Sequence, residues 1–275
     1  LSTLGSPATV LVASTADIAS MNLARALVET YGFKPTGVQL LGKQVFQKDS
    51  YLLATFDSII IDPPDLDSYF NPRAYIFLSR HSASSGIPSL TAHTTGNFST
   101  ESRFGGRGME LGRVDPDLLK NYIISLTKRG AEAEGYKVTI EATHHGPTSL
   151  SRPVMFVEIG SSERNWEDSK AANVVAGALV ESLQKGKTWD KVAVAFGGTH
   201  YPEKFNKLLL ETDFALAHIV PKYSLEHVNS DILGQMLSKT SRPVRYAVLD
   251  WKGLGTHKEK ILGLASTFGL ELIKL

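Results

Sequence analysis

Short apolar runs of strand length alternate along this chain with stretches in which apolar residues recur at three-to-four spacing. That alternation predicts an α/β fold, a largely parallel or mixed sheet flanked by helices. The apolar runs place strands at residues 9–13, 58–61, 74–78, 88–92, 136–142, 154–159, 191–196, 214–219 and 245–249. The helical spacing falls at 16–31, 115–129, 166–183, 203–210, 230–238 and 257–268, with Asp115-Pro116 as a helix start. No repeat, low-complexity tract or linker divides the pattern, so residues 1–275 are read as one α/β domain. Residues 79–113 are the main irregular stretch, rich in glycine (Gly86, Gly96, Gly105, Gly106, Gly108, Gly112), and are read as a lid or binding loop.

Composition narrows the chemistry more than the fold. With 275 residues, 42% of them apolar, the chain can bury a sizeable core. A net charge of +1 argues against non-specific attraction to nucleic acid but allows a local basic groove. Cysteine is absent, so disulfides and thiolate chemistry are excluded and any metal must be held by nitrogen and oxygen. Residues 1–7 carry no basic stretch and no apolar run approaches the roughly 18 residues of a membrane span, so a cytoplasmic protein without membrane contact is expected.

The histidines carry the strongest signal. Five of the eight end apolar runs: His93, the adjacent pair His144 and His145, His200 and His218. In open α/β sheets, ligands bind beyond the carboxyl ends of strands, where loops converge. Neighbouring residues on a strand face opposite ways, so His144 and His145 share a ligand only if the backbone turns, as Gly146-Pro147 suggests; surface or core histidines are the plain alternative. Gly197 and Gly198 precede His200 at a strand-to-helix turn whose amides could hold an anion, without the spacing of a P-loop. Glu158, inside an apolar run, suits a general base or oxygen ligand, and Glu141 a residue that orients an imidazole. Arg80 suits a phosphate or carboxylate, and Lys222 a phosphate or oxyanion. His227 and His257 are assigned no role.

Ser79-Arg80-His81-Ser82, His93-Thr94-Thr95-Gly96-Asn97, Glu141-Ala142-Thr143-His144-His145-Gly146-Pro147, Val157-Glu158-Ile159-Gly160, Gly197-Gly198-Thr199-His200-Tyr201, His218 with Lys222-Tyr223, and Asp250-Trp251-Lys252-Gly253 occur in this order. Together they resemble the archaeal and plant type of D-aminoacyl-tRNA deacylase over almost the whole chain. Two departures are Thr94, where the family is expected to favour proline, and Trp251.

The resemblance implies hydrolysis of the ester of D-aminoacyl-tRNA, zinc dependence, a cytoplasmic setting and an architecture related to peptidyl-tRNA hydrolase and nucleoside phosphorylase. On residue chemistry and position in these motifs, zinc is assigned to His93, His144, His145 and His200. Glu158, Glu141 and His145 are the catalytic candidates. Arg80, Gly197, Gly198 and Lys222 are expected to bind substrate. The partner is the acceptor stem and CCA end of tRNA, contacted through phosphates with an affinity that falls as salt rises. A monomer is favoured. The competing readings are a zinc-dependent peptidase or amidohydrolase acting on small substrates, and a non-enzymatic RNA-binding module.

Overall fold

Strands buried on both faces read as unbroken apolar runs, because neither face needs a polar residue for water. The computed structural model, which describes residues 7–275, shows that outcome in β1 (Thr9–Ser14), where every position is buried. The chain continues through α1 (Ile18–Glu29) into a meander of β2 (Lys34–Leu40), β3 (Lys43–Lys48) and β4 (Tyr51–Phe56). Next come β5 (Ala74–Arg80), β6 (Ser89–Thr94), a small ladder of β7 (Gly96–Asn97) with β8 (Glu110–Leu111), and α2 (Pro116–Arg129). β9 (Lys137–Ile140), β10 (Val154–Gly160), α3 (Glu163–Trp166) and α4 (Ser169–Gln184) complete the first part. The remainder alternates: β11 (Lys191–Phe196), α5 (Glu203–Glu211), β12 (Phe214–Val220), α6 (Ser230–Ser238), β13 (Tyr246–Leu249), α7 (Lys258–Thr267) and β14 (Glu271–Lys274).

These strands make a mixed eight-stranded sheet in the order β2-β3-β4-β1-β5-β10-β6-β9 and an all-parallel four-stranded sheet in the order β12-β11-β13-β14. The α/β expectation is therefore met. One core cluster unites residues of both sheets, including Leu11 and Ile76 of the first with Ala193, Leu216 and Val248 of the second, against α1, α2 and α4. The opposite face of the large sheet buries Val12, Phe77 and Phe156. No helix among the described residues is long and apolar enough to cross a membrane.

Several expectations are corrected. Residues 58–61 form a turn rather than a strand, with Ile59 exposed; Pro63 and Pro64 follow at once and offer no amide to a sheet ladder. β2 and β3 have no sequence counterpart because Pro35, Gly37 and many polar residues blur their alternation, whereas β4, with Leu52, Leu53, Ala54 and Phe56 buried, is a further apolar run of strand length. β14 is an edge strand with no fully buried residue, which leaves little apolar pattern to detect. The helix expected over 166–183 is broken at Asp168, whose side chain accepts from Lys170 N and Ala171 N and so starts α4 afresh. The glycine-rich range 79–113 is not one loop: β6 within it is buried throughout, and the longest strand-free segment is residues 98–109.

Candidate functional site

Strand pairing brings the first group together. β10 runs parallel to β5 with Glu158 opposite Ser79, and antiparallel to β6 with Phe156 opposite His93. Because side chains alternate along a strand, Ser79, Glu158, Phe156 and His93 share one face of the sheet. His81 extends β5 by one further step and its amide donates to Ile159 O at 2.9 Å. Gly160 permits the approach: a Cβ there would lie 2.7 Å from the His81 Cβ.

The second group lies in residues 141–145, which stitch the two sheets together. Glu141 N donates to Ala92 O of the large sheet, whereas Ala142 N reaches His200 O and Thr143 N reaches Ile219 O of the small one. The Thr143 hydroxyl accepts from Ile219 N at 2.9 Å. The turn anticipated after the histidine pair begins at His145 itself, where φ is 39°, a left-handed conformation uncommon outside glycine. Both rings therefore face the cluster, 4.5 Å apart between centroids, with the His93 ring 4.0 Å from that of His144 and 4.7 Å from that of His145.

Three imidazoles are set in the same way. Nδ1 of His93 donates to Thr94 O at 3.1 Å, Nδ1 of His144 to Ala142 O at 2.8 Å, and Nδ1 of His145 to Gly146 O at 2.7 Å. For His144 and His145 that tautomer leaves Nε2 with a free lone pair, the usual arrangement of a metal-binding histidine held by its surroundings, whereas the Nε2 of His93 stands 3.7 Å from Glu158 Oε1, which favours its protonated form and makes it a ligand only on losing that proton. One donor atom from each of the three lies within 4.8 Å of the others. His93 Nε2 is buried and has no hydrogen-bond partner among the described residues. Burial and neighbouring imidazoles hold His144 well below the usual histidine range, and burial with the His93 charge pushes His145 down to about 4. Both are neutral at pH 7, as ligation requires.

The two carboxylates bridge these histidines to others. His200 Nε2 donates to Glu141 Oε2 at 2.7 Å, and His144 Nε2 stands 3.6 Å from the same oxygen. His81 Nδ1 lies 3.2 Å from both Glu158 Oε2 and Glu141 Oε1, yet only the bond to Glu158 is well aligned, so Glu141 Oε1 is left without a hydrogen bond. Burial opposes the charge on Glu141 and on Glu158, but hydrogen bonds from histidine outweigh it and hold both carboxyls below their usual range. Burial likewise opposes charge on His81, whereas Glu141 and Glu158 together raise it to about 11. His93 is raised in the same manner, chiefly by Glu158 acting against burial. His81 is thus an imidazolium at neutral pH, and its Nε2 donates to Tyr201 Oη at 2.5 Å.

The expected metal set is divided by this geometry. His93, His144 and His145 form one group, while His200 falls with Glu141 and His144 in a second and His81 with Glu141 and Glu158 in a third. Such all-nitrogen and nitrogen–oxygen donor sets suit zinc. His218 is absent from these groups: it is fully buried, and neither ring nitrogen has a partner among the described residues.

The substrate-binding expectations fare unevenly. Gly197, at φ 95°, spends its amide on Val220 O at 2.9 Å, so that amide cannot hold an oxyanion. The Gly198 carbonyl accepts from Lys222 N, and Gly198 lines a different cavity with Thr199 and Asp250. The Lys222 side chain is exposed. Arg80 stays beside the cluster, its guanidinium 5.1 Å from the centre of the Trp166 ring and its amide donating to Asp17 Oδ2. Sequence reasoning assigned nothing to His81, Tyr201 or Tyr223, although each stood in a quoted motif; Tyr223 Oη lies 3.1 Å from His200 Nδ1. Asp17, far away in sequence, gave no signal beyond that of a helix cap.

A family model described as D-aminoacyl-tRNA deacylase matches residues 68–273. The chain belongs to the D-aminoacyl-tRNA deacylase family. Among its relatives, the D-aminoacyl-tRNA deacylase of Cenarchaeum symbiosum is 37% identical, with 96% of this chain and 98% of that one covered. That of Pyrococcus furiosus is 34% identical over 96% of this chain and 99% of its own. The crystal structure of a conserved protein of unknown function superposes with a TM-score of 0.89 at 31% identity, covering 98% of this chain and 95% of that one. Membership in the deacylase family leaves the peptidase and amidohydrolase reading without support.

Proposed function

We propose that this chain hydrolyses the ester bond of D-aminoacyl-tRNA, releasing the free D-amino acid and tRNA and so keeping D-residues out of translation. The observation that carries the chemistry is the cluster at the seam of the two sheets. His144 and His145 present free nitrogens beside two ionised carboxylates and the His81 imidazolium, and His93, held protonated by Glu158, adds a third ring nitrogen that would give up its proton on ligation.

His93, His144 and His145 would hold zinc, with Glu141 and His200 offering further donors beside His144. When bound, zinc supplies Lewis acidity, lowering the pKa of water toward about 7 and polarising an ester carbonyl. Glu158 accepts the proton of the attacking water. Its Oε1 is the freer oxygen, since Oε2 is engaged by His81, and Glu158 borders a cavity whereas Glu141 is enclosed by histidines. Glu141 positions His200 through the 2.7 Å hydrogen bond. The His81 charge keeps both carboxylates ionised and fixes the Tyr201 hydroxyl. An ester needs little help in expelling its ribose oxygen, which is consistent with a site built around water activation.

The acceptor stem and CCA end of tRNA would approach over residues 98–109. This loop sits against the histidine pair through the hydrogen bond from Gly146 N to Phe104 O (3.1 Å) and exposes Arg103, Phe104 and Arg107. A cytoplasmic, monomeric enzyme belongs to the same reading, supported by the tRNA substrate it takes.

Deacylation of matched D- and L-tyrosyl-tRNA, before and after chelation and with zinc restored, tests the reading. D-selective hydrolysis that disappears on chelation and returns with zinc is expected. Hydrolysis untouched by chelation would remove zinc from the scheme, and no hydrolysis of the D-ester would remove the activity.

A further inference from the structure

A cavity of about 240 Å³ opens beside the cluster, with His145 and Glu158 among its walls. Its other walls differ sharply in character. Ile59, Ile60 and Ile61, the turn that replaces the expected strand, give it apolar surface, and Asp17, Ser79 and Arg80 give it a polar side. Asp17 is only 3% exposed. Its Oδ1 accepts from Ser20 N at 3.0 Å, capping α1, while Oδ2 accepts from Arg80 N at 3.0 Å and stands 3.5 Å from Ser79 Oγ.

These donors are neutral, and the guanidinium of Arg80 lies 5.1 Å from the centre of the Trp166 ring. Burial raises the Asp17 carboxyl above its usual range, and Glu158 adds to the rise. Glu158 is paired with the His81 imidazolium, so Asp17, whose oxygens accept only from backbone amides and the Ser79 hydroxyl among the described residues, is the carboxylate on these walls left to meet a cation. A carboxylate buried without a charged partner is costly, and an ammonium that enters offsets that cost. The apolar turn beside it suits a side chain: a cavity of roughly 150 Å³ already accommodates benzene.

We propose that this cavity receives the amino-acid moiety of the substrate, with Asp17 binding its α-ammonium and Ile60 and Ile61 its side chain. The inference rests on the deacylase reading and adds how the amino acid is held. With the ester carbonyl at the histidine cluster, these two contacts give three fixed points around the α-carbon. Three points distinguish mirror images where two do not. If the three points are arranged for the D-ester, the L-ester placed with its carbonyl and side chain in position turns its ammonium away from Asp17.

The test is steady-state deacylation of D-tyrosyl-tRNA and N-acetyl-D-tyrosyl-tRNA by the wild-type protein and by Asp17→Asn. Acetylation removes the charge without touching the ester. The wild type is expected to prefer the free amine by at least tenfold in kcat/KM. Asp17→Asn should raise KM for D-tyrosyl-tRNA about tenfold or more, lower its D-over-L preference, and leave the acetylated ester nearly unaffected. A general loss of folding would depress both substrates together, so the ratio separates recognition from structure.

Equal wild-type rates on the two D-esters would overturn the assignment without any variant, as would an unchanged ratio in Asp17→Asn. If the wild type hydrolyses neither ester, the deacylase reading fails, and this assignment with it. If it hydrolyses both equally, only the Asp17 assignment fails.

Discussion

At the scale of single residues, the site depends on how each imidazole is held. A ring whose Nδ1–H is tied to a carbonyl turns its Nε2 into the cluster, and His93, His144 and His145 are fixed in that way, His93 with Glu158 Oε1 3.7 Å from its Nε2. His144 is the member common to two of the donor groups and is only half-buried, so removing it costs the core little. His144→Ala is expected to keep its fold by circular dichroism while zinc content measured by mass spectrometry falls and kcat drops by more than about 100-fold, since even outer-shell losses at metal sites cost about 10–100-fold. Unchanged zinc content and turnover would move the ion elsewhere. The adjacent histidines were legible in the sequence as metal-capable. His81 was passed over because a lone histidine next to an arginine resembles surface decoration until two buried carboxylates are found beside it.

At the scale of elements, register does most of the positioning. The antiparallel pairing of β6 with β10 puts His93 and Glu158 on one face, and the two-residue side-chain period makes that outcome sensitive to a single-residue slip. The loop 98–109 works differently: it contributes exposed groups rather than buried ones, and Phe104 is 67% exposed next to the histidine pair. An aromatic ring displayed there offers a stacking platform for a single-stranded base, an interaction of about 1–3 kcal/mol. Phe104→Ala should therefore raise KM for D-aminoacyl-tRNA about tenfold with kcat nearly constant, as measured by steady-state deacylation. A fall in kcat at constant KM would show that the loop acts on the chemistry instead. The helices were legible from their spacing and caps, whereas β2 and β3 were not, because pairing with β4 supplies the order that their mixed composition hides.

At the scale of the whole molecule, two sheets share one core and meet along residues 141–145. His218 lies on β12 of the smaller sheet with both ring nitrogens unpartnered, and burial, aided by the charge of Lys239, pushes its pKa down to about 3. The folded protein keeps this ring neutral while the unfolded chain protonates it near pH 6.5. Between those values the unfolded state binds the extra proton, so this contribution to stability is complete above about pH 6.5 and is lost as pH falls. The slope approaches about 1.4 kcal/mol per pH unit for one such group. In urea titrations between pH 7 and pH 5, His218→Leu is expected to lose less stability than the wild type. Parallel losses in the two proteins would show that His218 is not the group responsible.

The sequence by itself determined the local and chemical properties of this protein. Apolar period set the helices and the buried strands, the lack of cysteine confined metal donors to nitrogen and oxygen, and the ordered histidine and glutamate motifs marked the family. Only the tertiary structure decided which of those groups act together. It divided the four proposed metal histidines between two sets, spent the Gly197 amide in the sheet, and set His81 between Glu141 and Glu158. It also carried Asp17 to a cavity shared with Glu158. The physical reason is distance along the chain. Period and propensity are properties of neighbours, whereas electrostatic coupling depends on separation in space, and Asp17 and Glu158 are 141 positions apart only in sequence.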